Sequence, residues 1–265
     1  MKFDEEYTKY WTSAVDKSID GTKIASLNEV NYFLKDLNIS DDNSILDLGC
    51  SYGRMSDVLS NYSNKIYGAE PDDYAVGEAR NMKYADVKKG SAEKIPYDDN
   101  FFDLVFCWAV MDVVDHLQTF KEMNRVLKDN GKIFITGKNI NYHHDDILAF
   151  KAEKNAYLKN FPNKFTNLDL VKKNINTLGF ELIKLFIFPK RGDFGNLKFI
   201  DSDISLNNKI IGYEYLLVAS KIDKPSTLDN KDDYLSSPVS FTANSMALEN
   251  GLDSVDDYFK SIGID

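Results

Sequence analysis

Two glycines and a carboxylate follow a short apolar run in the segment ILDLGCSYGRM, residues 45–55. Gly49 and Gly53 let the backbone bend and approach a ligand without a clash from Cβ. The helix expected after them supplies free backbone N–H groups at its N-terminus. A nucleotide-binding turn usually carries three glycines, and Ser51 stands where one of them is expected. The segment therefore indicates either a ligand-binding turn or only a tight connection.

A second carboxylate lies at the distance that a ribose-binding acid would need. Glu70 ends the strand-like segment KIYGAE, 23 residues after Asp47. One carboxylate can accept hydrogen bonds from both hydroxyls of a ribose, and such an acid typically follows the glycine turn by about 20 residues. The alternative is that Glu70 and Asp72 cap the helix after Pro71. Because the glycine turn is already present, the ribose interpretation is favoured.

The elements that must position these residues alternate between strand and helix. Strand-like segments cover residues 44–49, 65–70, 84–90, 101–110 and 132–139, and helix-like segments cover 54–62, 73–82 and 116–127. Such alternation predicts an α/β sheet with parallel strands, whose carboxyl ends share one edge. We also expect two helices in residues 4–37, with Ser26 or Asn28 near the N-cap of the second one, and a left-handed C-cap at Gly131. A helix over 168–180 and strands over 180–188 and 212–221 complete the pattern, with a long loop between those strands.

Together these segments resemble a class I S-adenosylmethionine-dependent methyltransferase of the type 11 small-molecule group. The resemblance rests on ILDLGCSYGRM, IYGAEPDD, KKGSAEKIPYDDNFFDLVFCWAVMDVVDH and FKEMNRVLKDNGKIFITGKN, in that order. It implies a Rossmann-like, mostly parallel seven-stranded sheet with helices on both faces. It implies S-adenosyl-L-methionine as cofactor and S-adenosyl-L-homocysteine as product. We expect a methyltransferase domain with an N-terminal helical cap over residues 1–224, and a polar linker with a helical tail over residues 225–265.

The resemblance also assigns cofactor-binding residues. For the methionine part it implies Asp47, Gly49, Cys50, Ser51 and Gly53. For the ribose it implies Glu70 with Pro71, and for the adenine Ser91, Ala92 and Glu93. For the segment under the methionine it implies Cys107 and Trp108. Ser91 replaces an aspartate that often bonds the adenine amino group, so its hydroxyl or Glu93 would substitute. The family often has a histidine at Val113, whereas here His116 follows three residues later. The absence of an Asn-Pro-Pro-aromatic run disfavours methylation of a base or amide nitrogen.

Catalysis of methyl transfer depends mainly on the positioning of donor and acceptor, and a neutral hydroxyl acceptor benefits from a general base. The candidates are His143, His144 and His116, with a surface or capping role as an equally weighted alternative. Adjacent residues in a loop, such as HHDD, seldom chelate one ion without partners elsewhere in the chain, so we predict no metal. Candidate substrate contacts are Arg54 and Arg191 as anion contacts, with Lys138 and Lys190, and Tyr10 and Trp11 as aromatic wall residues that could instead face the core.

Composition limits the class of partner. The chain has 265 residues and a net charge of −10, which disfavours nucleic-acid binding, and no apolar run reaches the length of a membrane helix. Cys50 and Cys107 cannot form a disulfide framework, and we interpret both as small pocket-wall residues. We therefore expect a cytoplasmic monomer or homodimer with a small-molecule acceptor.

Three functions remain open from the sequence. The first is O-methylation of a sugar, phosphate or phosphoramidate precursor in capsule or surface-polysaccharide biosynthesis, because the Lys-, Asn- and Ile-rich composition resembles that of AT-rich bacteria in which similar enzymes accompany such genes. The second is a non-catalytic S-adenosylmethionine-binding sensor or subunit, which the serine at position 91 and the displaced histidine favour. The third is an RNA methyltransferase, against which the net charge speaks.

Overall fold

A central sheet organises the chain, and the computed structural model describes residues 23–158, 163–202, 209–223, 233–238, 246–247 and 250–264. Its strands are β1 (Ser44–Leu48), β2 (Lys65–Glu70), β3 (Asp86–Lys89), β4 (Phe102–Cys107), β5 (Leu127–Lys138), β6 (Lys164–Thr166), β7 (Phe180–Phe188), β8 (Ile200–Asp201), β9 (Glu214–Lys221) and β10 (Ser236–Pro238). Its helices are α1 (Lys23–Leu34), α2 (Ser56–Leu59), α3 (Asp73–Ala79), α4 (His116–Val126), α5 (Ile147–Leu158), α6 (Leu168–Asn174) and α7 (Val255–Ser261).

Eight of the described strands form one sheet in the order β3-β2-β1-β4-β5-β9-β7-β8. β1 pairs in parallel with both β2 and β4, and the strand order reverses between them. In an open α/β sheet a ligand settles at this reversal, outside the carboxyl ends of the strands. The α/β architecture is as predicted, except that β8 adds an eighth strand by pairing antiparallel with β7 at the sheet edge.

Successive side chains of the strands point to opposite faces of the sheet, and both faces are buried. One face carries Leu46 and Leu48 of β1 and packs against α4 and α6. The opposite face carries Ile45 and packs against α1 and α2, through residues that include Phe33 and Val58. A strand buried on both faces reads as a continuous apolar run, which is why SILDL is buried at every position. The sheet is therefore a rigid base for the loops at its carboxyl edge.

Two helix-end predictions are wrong. α1 spans Lys23–Leu34, so Ser26 and Asn28 lie inside the helix and neither is its N-cap. The left-handed residue after α4 is Asn130, with φ 60°, rather than Gly131. A Cβ at Gly131 would lie 2.8 Å from the backbone oxygen of Lys128, so this glycine serves a close approach of two backbone segments. The chain leaves α4 directly into β5 through an extended Leu127.

The described parts of the C-terminal segment pack against the sheet domain. β10 pairs antiparallel with β6. Tyr258 and Phe259 of α7 share an apolar cluster with Tyr142, Phe150 and Tyr213, which lie beside the carboxyl end of β5. The division into a domain over residues 1–224 and a tail over residues 225–265 stays a prediction. Within the described residues, no helix combines the length and the apolar character needed to cross a membrane.

Candidate active site

The first carboxylate of the site lies at the end of β1. Asp47 is 2% exposed and accepts a hydrogen bond of 2.6 Å from the Tyr84 hydroxyl. Burial raises the pKa of the Asp47 carboxyl to about 6, and the Tyr84 hydrogen bond and the charge of Arg54 oppose this rise. Arg54 is itself half-buried, and burial lowers the pKa of its guanidinium group while Asp47 opposes that change. The charges of the two side chains thus act on each other beside the turn.

The turn after β1 needs its glycines for two different reasons. Gly49 and Gly53 have φ values of 76° and 84°, in the left-handed region. A Cβ on Gly49 would overlap Cγ2 of Val110, so the turn passes directly against the loop after β4. Ser51 also adopts a positive φ, 48°. Ser51, which stands where a third glycine was expected, thus has the left-handed conformation that glycine favours.

Glu70 joins this turn to the one after β2. Its Oε2 accepts a hydrogen bond of 3.0 Å from the backbone N–H of Ser51, and its Oε1 accepts one of 3.1 Å from the N–H of Asp72. Burial raises the pKa of the Glu70 carboxyl to about 7, against the effect of these two hydrogen bonds. The N-cap of α3 is Asp72, which accepts from the N–H of Ala75 at 2.8 Å. Capping therefore falls to Asp72, and Glu70 with the following Pro71 lies between the two turns.

The segment expected beside adenine runs along the same edge of the sheet. Gly90 donates its N–H to the carbonyl of Glu70, and this places Ser91 next to the end of β2. Ala92 is buried. Oε1 of Glu93 accepts a hydrogen bond of 3.0 Å from the N–H of Asp115. Its Oε2 is buried with no hydrogen-bond partner in the described structure.

The end of β4 contributes one thiol and one large aromatic ring. Cys107 and Cys50 are both buried and free, and burial raises the pKa of both thiols. Trp108 stacks nearly parallel to Phe106, with ring centroids 5.9 Å apart. Phe194, from the loop after β7, contacts Trp108 edge-on at 5.0 Å. The long loop predicted between the last two strands thus reaches the reversal point of the sheet.

A second polar cluster lies beyond β4, at the carboxyl end of β5. Lys138 forms an ion pair with Asp112 and also donates its backbone N–H to the same carboxylate, at 3.0 Å. Burial opposes the charge of Lys138, but Asp112, Tyr213 and Glu214 together outweigh it, and the pKa of the ammonium group is raised. Arg191 donates to the Tyr213 hydroxyl at 3.0 Å. In the antiparallel register of β5 and β9, Glu214 lies directly opposite Lys138.

Comparisons with known proteins identify the family of this arrangement. Residues 46–135 match the family described as "Methyltransferase domain", of type 11. A solved S-adenosylmethionine-dependent methyltransferase of Thermotoga maritima, a possible histamine N-methyltransferase, superposes with a TM-score of 0.59 at 19% identity over 80% of this chain and 96% of that one. Residues 46–135 therefore match a methyltransferase domain, and the sheet around them has the fold of class I S-adenosylmethionine-dependent methyltransferases. Such a domain implies S-adenosylmethionine as cofactor and S-adenosylhomocysteine as product.

The curated relatives of the methyltransferase differ in their named functions. The chain is 30% identical over 108 residues to an uncharacterised protein of Methanocaldococcus jannaschii, covering 40% of this chain and 46% of that protein. It is 26% identical over 155 residues to a demethylmenaquinone methyltransferase of Bacillus mycoides, covering 53% and 65% respectively. The chain therefore spans less than two thirds of the length of these relatives.

The residues at the carboxyl edge fit the cofactor of this methyltransferase domain. The left-handed turn of Gly49 and Gly53 leaves the approach to β1 free of their side chains, and Glu70 offers a carboxylate beside it. The buried Oε2 of Glu93 is an acceptor without a partner in the described structure, in the segment assigned to adenine. These are the chemical groups that a ribose diol and an amino group need.

The three histidines of the methyltransferase occupy different environments. His116 is fully buried; its Nε2 lies 2.8 Å from Thr166 Oγ1 and its Nδ1 lies 3.2 Å from the Val114 carbonyl oxygen. Burial lowers the pKa of its imidazole, with Asp233 opposing. His143 is half-buried and His144 is exposed, both in the loop after β5. Among the described residues, no group of three or more His, Cys, Asp or Glu side chains could hold a metal.

The predicted substrate residues are only partly brought together. Arg54 lies in the turn after β1, whereas Arg191 is exposed on the loop after β7. Lys190 pairs with Asp145 at the surface. Tyr10 and Trp11 lie outside the described residues. The sequence did not single out Asp112 and Glu214. The only signal was an acidic residue within a short apolar segment, in AVMDVV and in GYEYLLV.

Proposed function

We propose that this protein transfers the methyl group of S-adenosylmethionine to a small molecule at the carboxyl edge between β1, β4 and β5. The observation that carries the proposal is the pair of adjacent polar sites on that edge. One consists of Asp47, the glycine turn and Glu70, and the other of Lys138, Asp112 and Glu214. The first suits the cofactor, and the second suits an acceptor next to it.

The cofactor residues divide the work in this proposal. Glu70 receives the ribose hydroxyls while its two backbone hydrogen bonds keep the turns after β1 and β2 in register. Gly49, Cys50, Ser51 and Gly53 present backbone groups to the methionine part. Trp108 provides an apolar wall that excludes water from the reacting atoms. When bound, the cofactor supplies an activated methyl group on sulfur, so these residues mainly need to orient it.

For the acceptor we propose a hydroxyl-bearing small molecule, of the class of sugar, phosphate or phosphoramidate precursors used in capsule or surface-polysaccharide biosynthesis. Support comes from Arg191, which is exposed and holds only the Tyr213 hydroxyl through its guanidinium group among the described residues. An exposed guanidinium group suits an anionic substituent. The names of relatives, which include demethylmenaquinone, (S)-coclaurine and glycine methyltransferases, indicate that acceptors vary widely around this domain.

Calorimetry followed by a turnover assay tests the proposal. Purified protein is titrated with S-adenosylmethionine and S-adenosylhomocysteine, then incubated with methyl-labelled cofactor and a panel of sugars, sugar phosphates, quinols, amines and RNA. We expect both cofactor forms to bind and one small-molecule class to become labelled. Lack of cofactor binding at millimolar concentration refutes the proposal. Binding without any transfer indicates a sensor or subunit, and salt-dependent labelling of RNA indicates an RNA methyltransferase.

A further inference from the structure

We propose that Glu214 is the proton acceptor for the hydroxyl that is methylated, an inference that rests on the proposed function. Glu214 is the first residue of β9. It pairs with Lys138 at the end of β5 and with Phe188 at the end of β7. All three residues therefore lie at the carboxyl edge, on the side of β4 away from the cofactor turn.

The carboxylate of Glu214 lacks the partners that a structural role would provide. Its Oε2 is buried and has no hydrogen-bond partner in the described structure. A buried oxygen without a donor costs free energy, and native structures rarely keep one without a function. The two cations whose charges act on Glu214 have other partners, because Lys138 is paired with Asp112 and Arg191 donates to Tyr213.

The charges around Glu214 suit a carboxylate that takes up a proton and releases it again. Burial raises the pKa of Glu214, and the charges of Lys138 and Arg191 oppose that rise. Asp112 and Asp146 add to the rise. The neighbouring cations thus favour the ionised form that acts as a base, while burial and the two acids favour its protonation during the reaction.

At the other acids near this edge and at the buried histidine, each side-chain oxygen or ring nitrogen already has at least one partner. Oδ1 and Oδ2 of Asp112 accept from the backbone N–H and the Nζ of Lys138. Oδ1 and Oδ2 of Asp146 accept from the backbone N–H groups of Ala149 and Arg191. Both ring nitrogens of His116 have neighbours in the interior. Among the described acids of this cluster, Glu214 is the one whose carboxylate has a buried oxygen without a hydrogen-bond partner.

The proposed step balances without a further reactant. The acceptor oxygen forms a bond to the methyl carbon while the bond from that carbon to sulfur breaks. The electron pair of the broken bond stays on sulfur, which becomes the neutral thioether of the product. The hydroxyl proton passes to the carboxylate of Glu214 and leaves to solvent after product release.

Glu214→Gln tests the step with little change in shape, and Glu181→Gln is the matched control because Glu181 is exposed on the neighbouring strand β7. We expect Glu214→Gln to leave the Kd for S-adenosylmethionine unchanged and to lower kcat on the labelled acceptor by about 10²–10⁴-fold, the usual contribution of a general base. In the wild type, kcat should rise with pH as Glu214 ionises, and this rise should be absent in Glu214→Gln. Retained kcat in Glu214→Gln, or an equal loss in His143→Ala or His144→Ala, overturns the assignment.

Infrared difference spectroscopy provides a readout that needs no acceptor. Spectra of the wild-type protein with bound S-adenosylmethionine, minus those of Glu214→Gln, report the ionisation of Glu214 alone. We expect its carboxylate band to be present at pH 8 and to be replaced by a carboxylic-acid band on acidification. A carboxylic acid at pH 8 overturns the proposal. If the wild type methylates no acceptor, the proposed function fails, and this measurement still decides the state of Glu214.

Discussion

At the scale of single residues, Glu70 has two tasks that use the same two oxygens. Its carboxylate accepts the N–H groups of Ser51 and Asp72, which hold the turns after β1 and β2 together. A carboxylate has about four lone-pair sites, so it can keep both backbone bonds and still accept ribose hydroxyls. A ribose held by Glu70 as proposed would therefore add to the existing hydrogen bonds instead of replacing them.

Replacement of Glu70 separates these two tasks. Glu70→Gln keeps most of the shape but loses an acceptor, so we expect S-adenosylmethionine binding to weaken by about 1–3 kcal/mol. Glu70→Ala should lose at least as much, because the turns also lose their shared anchor. Calorimetry measures both, with Asp73→Asn as a control because Asp73 is exposed on α3.

A cofactor analogue without ribose hydroxyls completes the Glu70 test. Its affinity should be almost the same for wild type and Glu70→Gln, because the contact that the variant loses is missing from the ligand. An unchanged affinity of Glu70→Gln for S-adenosylmethionine itself would remove the ribose assignment and leave Glu70 as an anchor of the two turns.

At the scale of elements, the short strand β10 connects the C-terminal segment to the helix α4. The Asp233 side chain just before β10 is only 5% exposed, and it lies 3.7 Å from the Nδ1 of His116. Its carboxylate accepts hydrogen bonds from the backbone N–H groups of His116 and Leu235 and from the Ser236 hydroxyl. The candidate catalytic residue His116 is thereby part of a junction between elements, and we propose a structural role for it.

Removal of the Asp233 carboxylate should destabilise this junction. Asp233→Ala leaves buried N–H donors unpaired, at about 1–3 kcal/mol. At about 2–4 °C per kcal/mol for a chain of this size, thermal unfolding should show a Tm several degrees lower. The control is Asp253→Ala, because Asp253 is exposed in the same C-terminal segment. Equal Tm values for the two variants would contradict a stabilising role of the junction.

At the scale of the whole molecule, the buried carboxyls of Asp47 and Glu70 couple stability to pH. The pKa values of Asp47 and Glu70 are raised to about 6 and about 7 in the folded chain. A carboxyl with a raised pKa binds protons preferentially in the folded state, so its contribution to stability falls as pH rises from its ordinary value through the folded value. His116 acts in the opposite direction, because its lowered pKa makes the folded state lose stability on acidification.

The difference between wild type and Glu70→Gln isolates one of these groups. We expect the Tm of the cofactor-free wild type, relative to Glu70→Gln, to fall between pH 5 and pH 8, because Glu70 ionises over that range in the folded state. The affinity for S-adenosylmethionine should rise over the same range, since an ionised carboxylate accepts the ribose hydroxyls. Thermal melts and calorimetry check the two trends, and a parallel change of both with pH would contradict the coupling.

The sequence by itself determined the order of the elements and the glycine turn after β1. Alternating apolar strands and helices bury their residues by local periodicity, and positive φ at two glycines is a local backbone requirement. The residue pattern alone therefore sufficed to place Asp47, Gly49, Gly53 and Glu70. Helix ends were less predictable. Glycine is needed at position 131 because the backbone oxygens of Lys128 and Phe102 leave no room for a Cβ, and not because the residue caps a helix.

Only the tertiary structure decided which groups meet beyond β4. Asp112, Lys138 and Glu214 lie far apart along the chain, and the pairing of β5 with β9 brings them to one edge. The same packing buries His116 against Thr166, although its position in the chain had suggested an active-site loop. Burial and hydrogen-bond partners are properties of the packed chain, so the residue types of this cluster could not reveal which oxygen is left without a partner.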